Sequence, residues 1–122
     1  VLVSFGLDIS SKLLCAIVGF NFKNIYISFN NDLGKSDNRG MEAAVKNYLK
    51  LLNYYDKDNI KICLPDKNDF GDMNDLDFKK WKQKLLLIKD LDQTPKVFSF
   101  AKNLQKNKKL SKALIKNIEL LK

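Results

Sequence analysis

The 122-residue chain predicts an α/β fold: a small parallel sheet followed by C-terminal helices. Three observations carry that expectation. Two short runs, residues 25–29 and 60–64, are almost wholly apolar and rich in Ile, as strands buried in a parallel sheet are. Between them, from Arg39 onward, Met41, Ala44, Val45, Tyr48, Leu52 and Tyr55 recur at spacings of three and four. Each apolar run then empties into a polar, acidic stretch. A strand–helix–strand order places both acidic stretches at the carboxyl edge of the sheet, where open α/β sheets receive their ligands.

Taken in order, residues 1–5 form a short β-prone run stopped by Gly6. Asp8, Ser10 and Ser11 offer N-caps to a helix carrying Leu13, Leu14, Ile17 and Val18 on one side, which Gly19 can close. Residues 25–29 make the second strand. Residues 30–38 are polar and contain Gly34, so they read as a loop before the helix at Arg39. Residues 60–64 make the third strand, ended by Pro65. Beyond the second acidic loop, Phe78, Trp81, Leu85 and Ile88 form a helical stripe that reads as core rather than as a base-stacking platform. Tyr48, Tyr54 and Tyr55 likewise read mainly as packing. After Thr94 and Pro95, Val97, Phe98, Ala101 and Leu104 predict one helix, and Leu110, Leu114, Ile118 and Leu121 predict another. The chain thus divides into an α/β part, residues 1–75, and a helical, basic extension or linker, residues 76–122.

Composition narrows the chemistry. The chain has no His, which excludes Ser-His-Asp and Cys-His nucleophilic sites and argues against zinc. Cys15 and Cys63 lie far apart in apolar runs and read as buried, reduced thiols of a cytoplasmic protein. No apolar run approaches the roughly 20 residues of a membrane span. The start at Val1, without Met or a basic leader, predicts a piece of a longer chain. The net charge of +8 is uneven: residues 93–122 hold eight Lys and a single acid, Glu119. A basic tail of this kind fits a nucleic-acid contact, against the commoner alternative of a solvated helix face.

The candidate site lies in the two acidic loops. The first contains Asn30, Asn31, Asp32 and, further on, Asp37; the second contains Asp66, Asp69, Asp72 and Asp75. Clustered oxygen ligands suit Mg²⁺ or Mn²⁺, which bind through one or two carboxylates together with water and substrate phosphate. The competing reading is that these are ordinary turn formers. A calcium loop is a poor match, because Phe70 occupies a ligand position and a strand precedes the loop. No glycine-rich P-loop or dinucleotide fingerprint occurs.

The full run resembles a known family. It comprises Ser4, Phe5 and Gly6; Asp8 to Lys12; a strand ending in Asn30, Asn31 and Asp32; Arg39 to Ala44; Leu64 and Pro65; and Asn68 to Met73. Over residues 1–75 it looks like the C-terminal part of a Toprim domain, most similar to those of bacterial and tailed-phage DNA primases and primase-helicases. The resemblance implies a Rossmann-like sheet, with the family's first strand missing. It also implies metal-dependent nucleotidyl transfer: RNA primer synthesis in DNA replication, with single-stranded DNA as template and nucleoside triphosphates as substrates. A replicative helicase is an implied partner, and the cytoplasm, that of a host for a phage protein, is the implied compartment.

On this resemblance Asp32, Asn30, Asp69 and Asp72 are the implied metal ligands, and Lys35 and Arg39 the implied phosphate contacts. The chain departs from the family twice. Asn30 stands where the family has the first Asp of its triplet, which removes one anionic ligand. The family's Glu, which follows an earlier strand, has no counterpart after Val1, so no catalytic residue is identified in the chain. The alternatives are another Toprim enzyme, a topoisomerase or nuclease, and a nucleic-acid-binding module of the same fold without catalysis.

Overall fold

The computed structural model describes residues 11–20, 24–28, 39–64 and 73–122. Their order is helix α1 (Ser11–Phe20), strand β1 (Ile25–Ile27), helix α2 (Arg39–Leu51), a 3₁₀ turn (Lys57–Asn59), strand β2 (Ile60–Ile62), then helices α3 (Asp75–Ile88), α4 (Thr94–Asn107) and α5 (Lys112–Glu119). Among the described residues the sheet has two strands. They pair in parallel, with Ile25 opposite Ile60, Tyr26 opposite Lys61 and Ile27 opposite Ile62. The fold is therefore mixed α/β, mostly helical, as the sequence predicts. The first predicted strand, residues 1–5, lies outside the described residues.

Helix α2 organises the core. Its apolar positions at helical spacing put Ala44, Val45, Tyr48, Leu49 and Leu51 out of solvent, against β2 on one side and α4 and α5 on others. One cluster joins Leu14 and Ile17 of α1, Ile27 of β1, Ile60 and Ile62 of β2, Val97, Ala101 and Leu104 of α4, and Ile118 of α5. The helical segment 76–122 is thus built partly into the same core as the α/β unit. Leu110 and Leu121, flanking α5, are buried there as well. Asn117 ties α5 to α2: its buried amide donates to the Leu49 carbonyl at 2.7 Å and to Asn53 Oδ1 at 3.0 Å.

Several expectations are corrected. Strand β1 is covered on one face only, since Tyr26 is 38% exposed. Cys15 is exposed on α1, whereas Cys63 is buried, and both are free thiols. Val18 and Tyr54 are both exposed, at 39% and 54%, and not part of the core. The stripe on α3 is only partly core: Ile88 is buried, but Phe78 is 41% exposed. Strand β2 is buried on both faces. Its charged member, Lys61, lays its stem in the interior and donates from Nζ to the Leu91 carbonyl. Among the described residues, no helix is long and apolar enough to cross a membrane.

Candidate functional site

The carboxyl edge of the sheet is built by the parallel register. After the ladder, Cys63 N–H donates to the Ile27 carbonyl at 2.9 Å. Ser28 Oγ–H then donates to the Cys63 carbonyl. The two strand ends therefore stay side by side until the chain leaves the sheet. Helix α3 fastens to the same point: Trp81 Nε1–H donates to the Cys63 carbonyl at 3.1 Å, and Lys84 Nζ reaches the Leu64 carbonyl at 3.5 Å. The other edge of β2 is closed by Gln93. Its side-chain amide accepts from Ile62 N–H and donates to the Ile62 carbonyl, both at 2.8 Å, as a third strand would.

Asn30, Asp32, Lys35, Asp69 and Asp72, together with Asp37 and Asp66, lie outside the described residues. Asp75 is described: it is exposed and opens α3. Asn74 and Asp77 form a reciprocal capping box there, with Asp77 N–H donating to Asn74 Oδ1 at 2.8 Å. The last polar residues of the second acidic loop thus start a helix. Among the described residues, no group of three Cys, Asp or Glu side chains assembles that could hold a metal.

Arg39 is exposed on the first turn of α2. Because α2 leads from the carboxyl end of β1 to the amino end of β2, it runs back along the sheet, and Arg39 stands towards the carboxyl edge. From there an open cleft of about 720 Å³ extends between α2 and α5. Arg39, Lys46 and Lys50 line one wall, and Lys108, Ser111 and Ala113 line the other. Glu42 sits between the walls, 7% exposed. It accepts from Lys108 Nζ at 2.7 Å and from Lys46 Nζ at 3.1 Å. Burial pushes the Glu42 carboxyl up, but the hydrogen bonds and charges of Lys108 and Lys46 outweigh this and hold it below its ordinary value.

Sequence reasoning does not find this cleft. Glu42 and Lys46 stand four residues apart on α2, a spacing that allows an ion pair on one helix face. Lys108 lies 66 residues from Glu42, and nothing local to either residue announces the contact. Glu119, the tail's only acid, is not part of the cleft: it is exposed and pairs with Lys102 at 3.2 Å and Lys122 at 2.8 Å.

The described residues define an α/β protein with a fastened carboxyl sheet edge and a basic cleft beside it. No protein-family model, curated protein or solved structure gives a significant match to the chain.

Proposed function

We propose that the chain is a Toprim-type module of a DNA primase, contributing to metal-dependent synthesis of RNA primers on single-stranded DNA. The observation that carries this reading is the parallel pairing of β1 and β2, with strand ends fastened through Ser28 and Cys63. That register ends both described strands at one sheet edge, at Ser28 and Leu64, and in the sequence Asn30, Asp32, Asp69 and Asp72 follow these ends. Three carboxylates and one carboxamide form an all-oxygen donor set, which suits Mg²⁺ or Mn²⁺ and not a softer metal. When bound, such an ion orients a triphosphate and neutralises charge developing in transfer. The residues of the chain have simpler tasks. Asp32, Asp69 and Asp72 supply anionic oxygens, Asn30 supplies a neutral one, and Lys35 and Arg39 supply cations to phosphate oxygens.

A second reading, a nucleic-acid-binding module without catalysis, is favoured by one specific residue: Asn30 in place of a carboxylate. Mn²⁺ titration of the chain by calorimetry separates the two. On the first reading Asn30→Asp tightens Mn²⁺ binding, whereas Asp32→Asn and Asp69→Asn each weaken it. Binding that ignores all three substitutions would remove the metal site from these loops and leave the second reading.

A further inference from the structure

We infer that the cleft between α2 and α5 is a track for the sugar–phosphate backbone of single-stranded DNA. The inference rests on the nucleic-acid part of the proposed function and is independent of its metal chemistry.

The charge comes first. Among the described residues, Arg39, Lys46, Lys50 and Lys108 line the cleft together with one carboxylate, Glu42, a net +3 for these five side chains. This is a concentrated share of the chain's total of +8. Glu42 does more than subtract a charge. Held out of solvent and bonded to one lysine from each wall, it fixes Lys46 and Lys108 at the rim instead of letting them roam as solvated lysines do. Two such lysines are pre-organised for phosphate oxygens, which lowers the entropy lost on binding.

Shape comes second. Arg39, Lys46 and Lys50 lie seven and then four residues apart, so they form a stripe along α2 about 16 Å long. A stripe of that length faces several successive phosphates. Ala43 and Ala113 line the cleft from opposite helices, where larger side chains would fill it. The axes of packed helices stand about 8–10 Å apart, so the groove over their seam is narrow and suits one backbone lying along it better than the body of a duplex. None of the described residues lining the cleft is aromatic. The groove therefore lacks a stacking platform for bases, and its contacts are with phosphates, without sequence preference.

Direction comes third. Arg39 stands at the end of α2 nearest the carboxyl edge of the sheet. A strand lying along the cleft is led from the basic helices towards the edge from which the acidic loops depart.

The test is fluorescence anisotropy with a labelled oligothymidylate, in EDTA, over a range of salt. EDTA removes any contribution from the acidic loops, so failure here and failure of the metal reading are separate results. Arg39→Gln with Lys50→Gln should weaken binding about tenfold or more in low salt and make the log–log salt slope shallower by about 1.4. Thermal unfolding followed by circular dichroism confirms that each variant is folded at the temperature of the binding measurement. Ala113→Glu, which sets an anion on the opposite wall, should weaken binding too, and serves as an independent second variant. Lys79→Gln with Lys80→Gln removes the same charge from exposed positions on α3 and should leave both affinity and slope unaltered. Three results would overturn the inference: wild-type binding by both cleft variants, equal loss from the α3 control, or equal affinity for a duplex or for polyphosphate.

Discussion

Helices α3 and α4 are each 14 residues long, and they meet the rest of the molecule in opposite ways. Helix α4 buries Thr94, Val97, Ala101 and Leu104, with Phe98 and Phe100 packed at the margin. Helix α3 buries Ile88 alone and leaves Leu86 73% and Leu87 79% exposed. Spacing explains the difference, since neither helix lacks apolar residues. Positions 97, 101 and 104 fall on one stripe, so one contact surface buries all three. Leu85, Leu86, Leu87 and Ile88 are consecutive. At about 100° per residue they circle the helix, and no single partner can cover them. Helix α3 is instead held at the end of β2 through Trp81 and Lys84, which bond the carbonyls of Cys63 and Leu64. The helix beside the candidate site is therefore tethered by polar contacts, while the helices forming the distant core are packed. Segments with few buried apolar contacts open at lower free energy than the core.

Truncating one leucine in each helix is the strongest way to break this comparison. Leu104→Ala removes a core side chain and should cost about 2–5 kcal/mol in chemical denaturation. Leu87→Ala removes an exposed one and should stay within about 0.5 kcal/mol of the wild type. Similar losses at the two sites would mean that α3 is packed as firmly as α4. A smaller effect sharpens the same contrast. Asn74→Ala removes the α3 N-cap, at about 0.5–2 kcal/mol. Because α3 is tethered and not packed, most of that loss should be local, seen as faster amide exchange across α3 with little change in the global unfolding midpoint. A fall in the midpoint matching the full cap energy would make α3 part of the cooperative core.

The contrast also marks what could be read from the residues alone. The packed half was legible, because Val45, Tyr48, Val97, Ala101 and Ile118 obey a helical period that implies one buried stripe each. The parallel pairing followed from the strand–helix–strand order. What was hidden depends on contacts between distant positions. Phe78, Trp81, Leu85 and Ile88 keep helical spacing, yet the spacing does not say that β2 would meet Trp81 through a carbonyl and leave Phe78 partly in solvent. Gln93 looks like a linker residue until its amide is seen closing the edge of β2. Lys108 reads as one more tail lysine until it meets Glu42. The basic tail reads in the sequence as a charge excess, but the cleft is shared between the tail and α2, so neither segment displays it alone. Of the residues proposed for the site, Arg39 is the one the described structure places, and it joins this cleft.

The smallest expected effect is titration, which again falls on the packed half. Two groups on α2 are shifted in opposite senses. For Glu42 burial acts upwards, but its bonds to Lys108 and Lys46 prevail and lower its pKa from 4.5. A carboxyl lowered by folding adds stability above its unfolded value, and that contribution is lost as the pH falls from about 4.5 through the folded value. Tyr48 is the reverse case. Burial pushes its hydroxyl from 10.0 up to about 12, while the hydroxyl donates to the Lys57 carbonyl at 3.1 Å. A phenol raised by folding adds stability below pH 10, and that contribution is lost as the pH climbs towards 12. The melting temperature should therefore fall on both sides. Glu42→Gln should flatten part of the acid limb only, because Asp92, bonded by Thr94, and Glu119, bonded by Lys122 and Lys102, are lowered as well. Tyr48→Phe should flatten the alkaline limb. An acid limb unchanged by Glu42→Gln would show that the Lys46–Glu42–Lys108 bridge adds nothing to the joining of α2 with the turn before α5. The cleft lysines would then be positioned by packing alone.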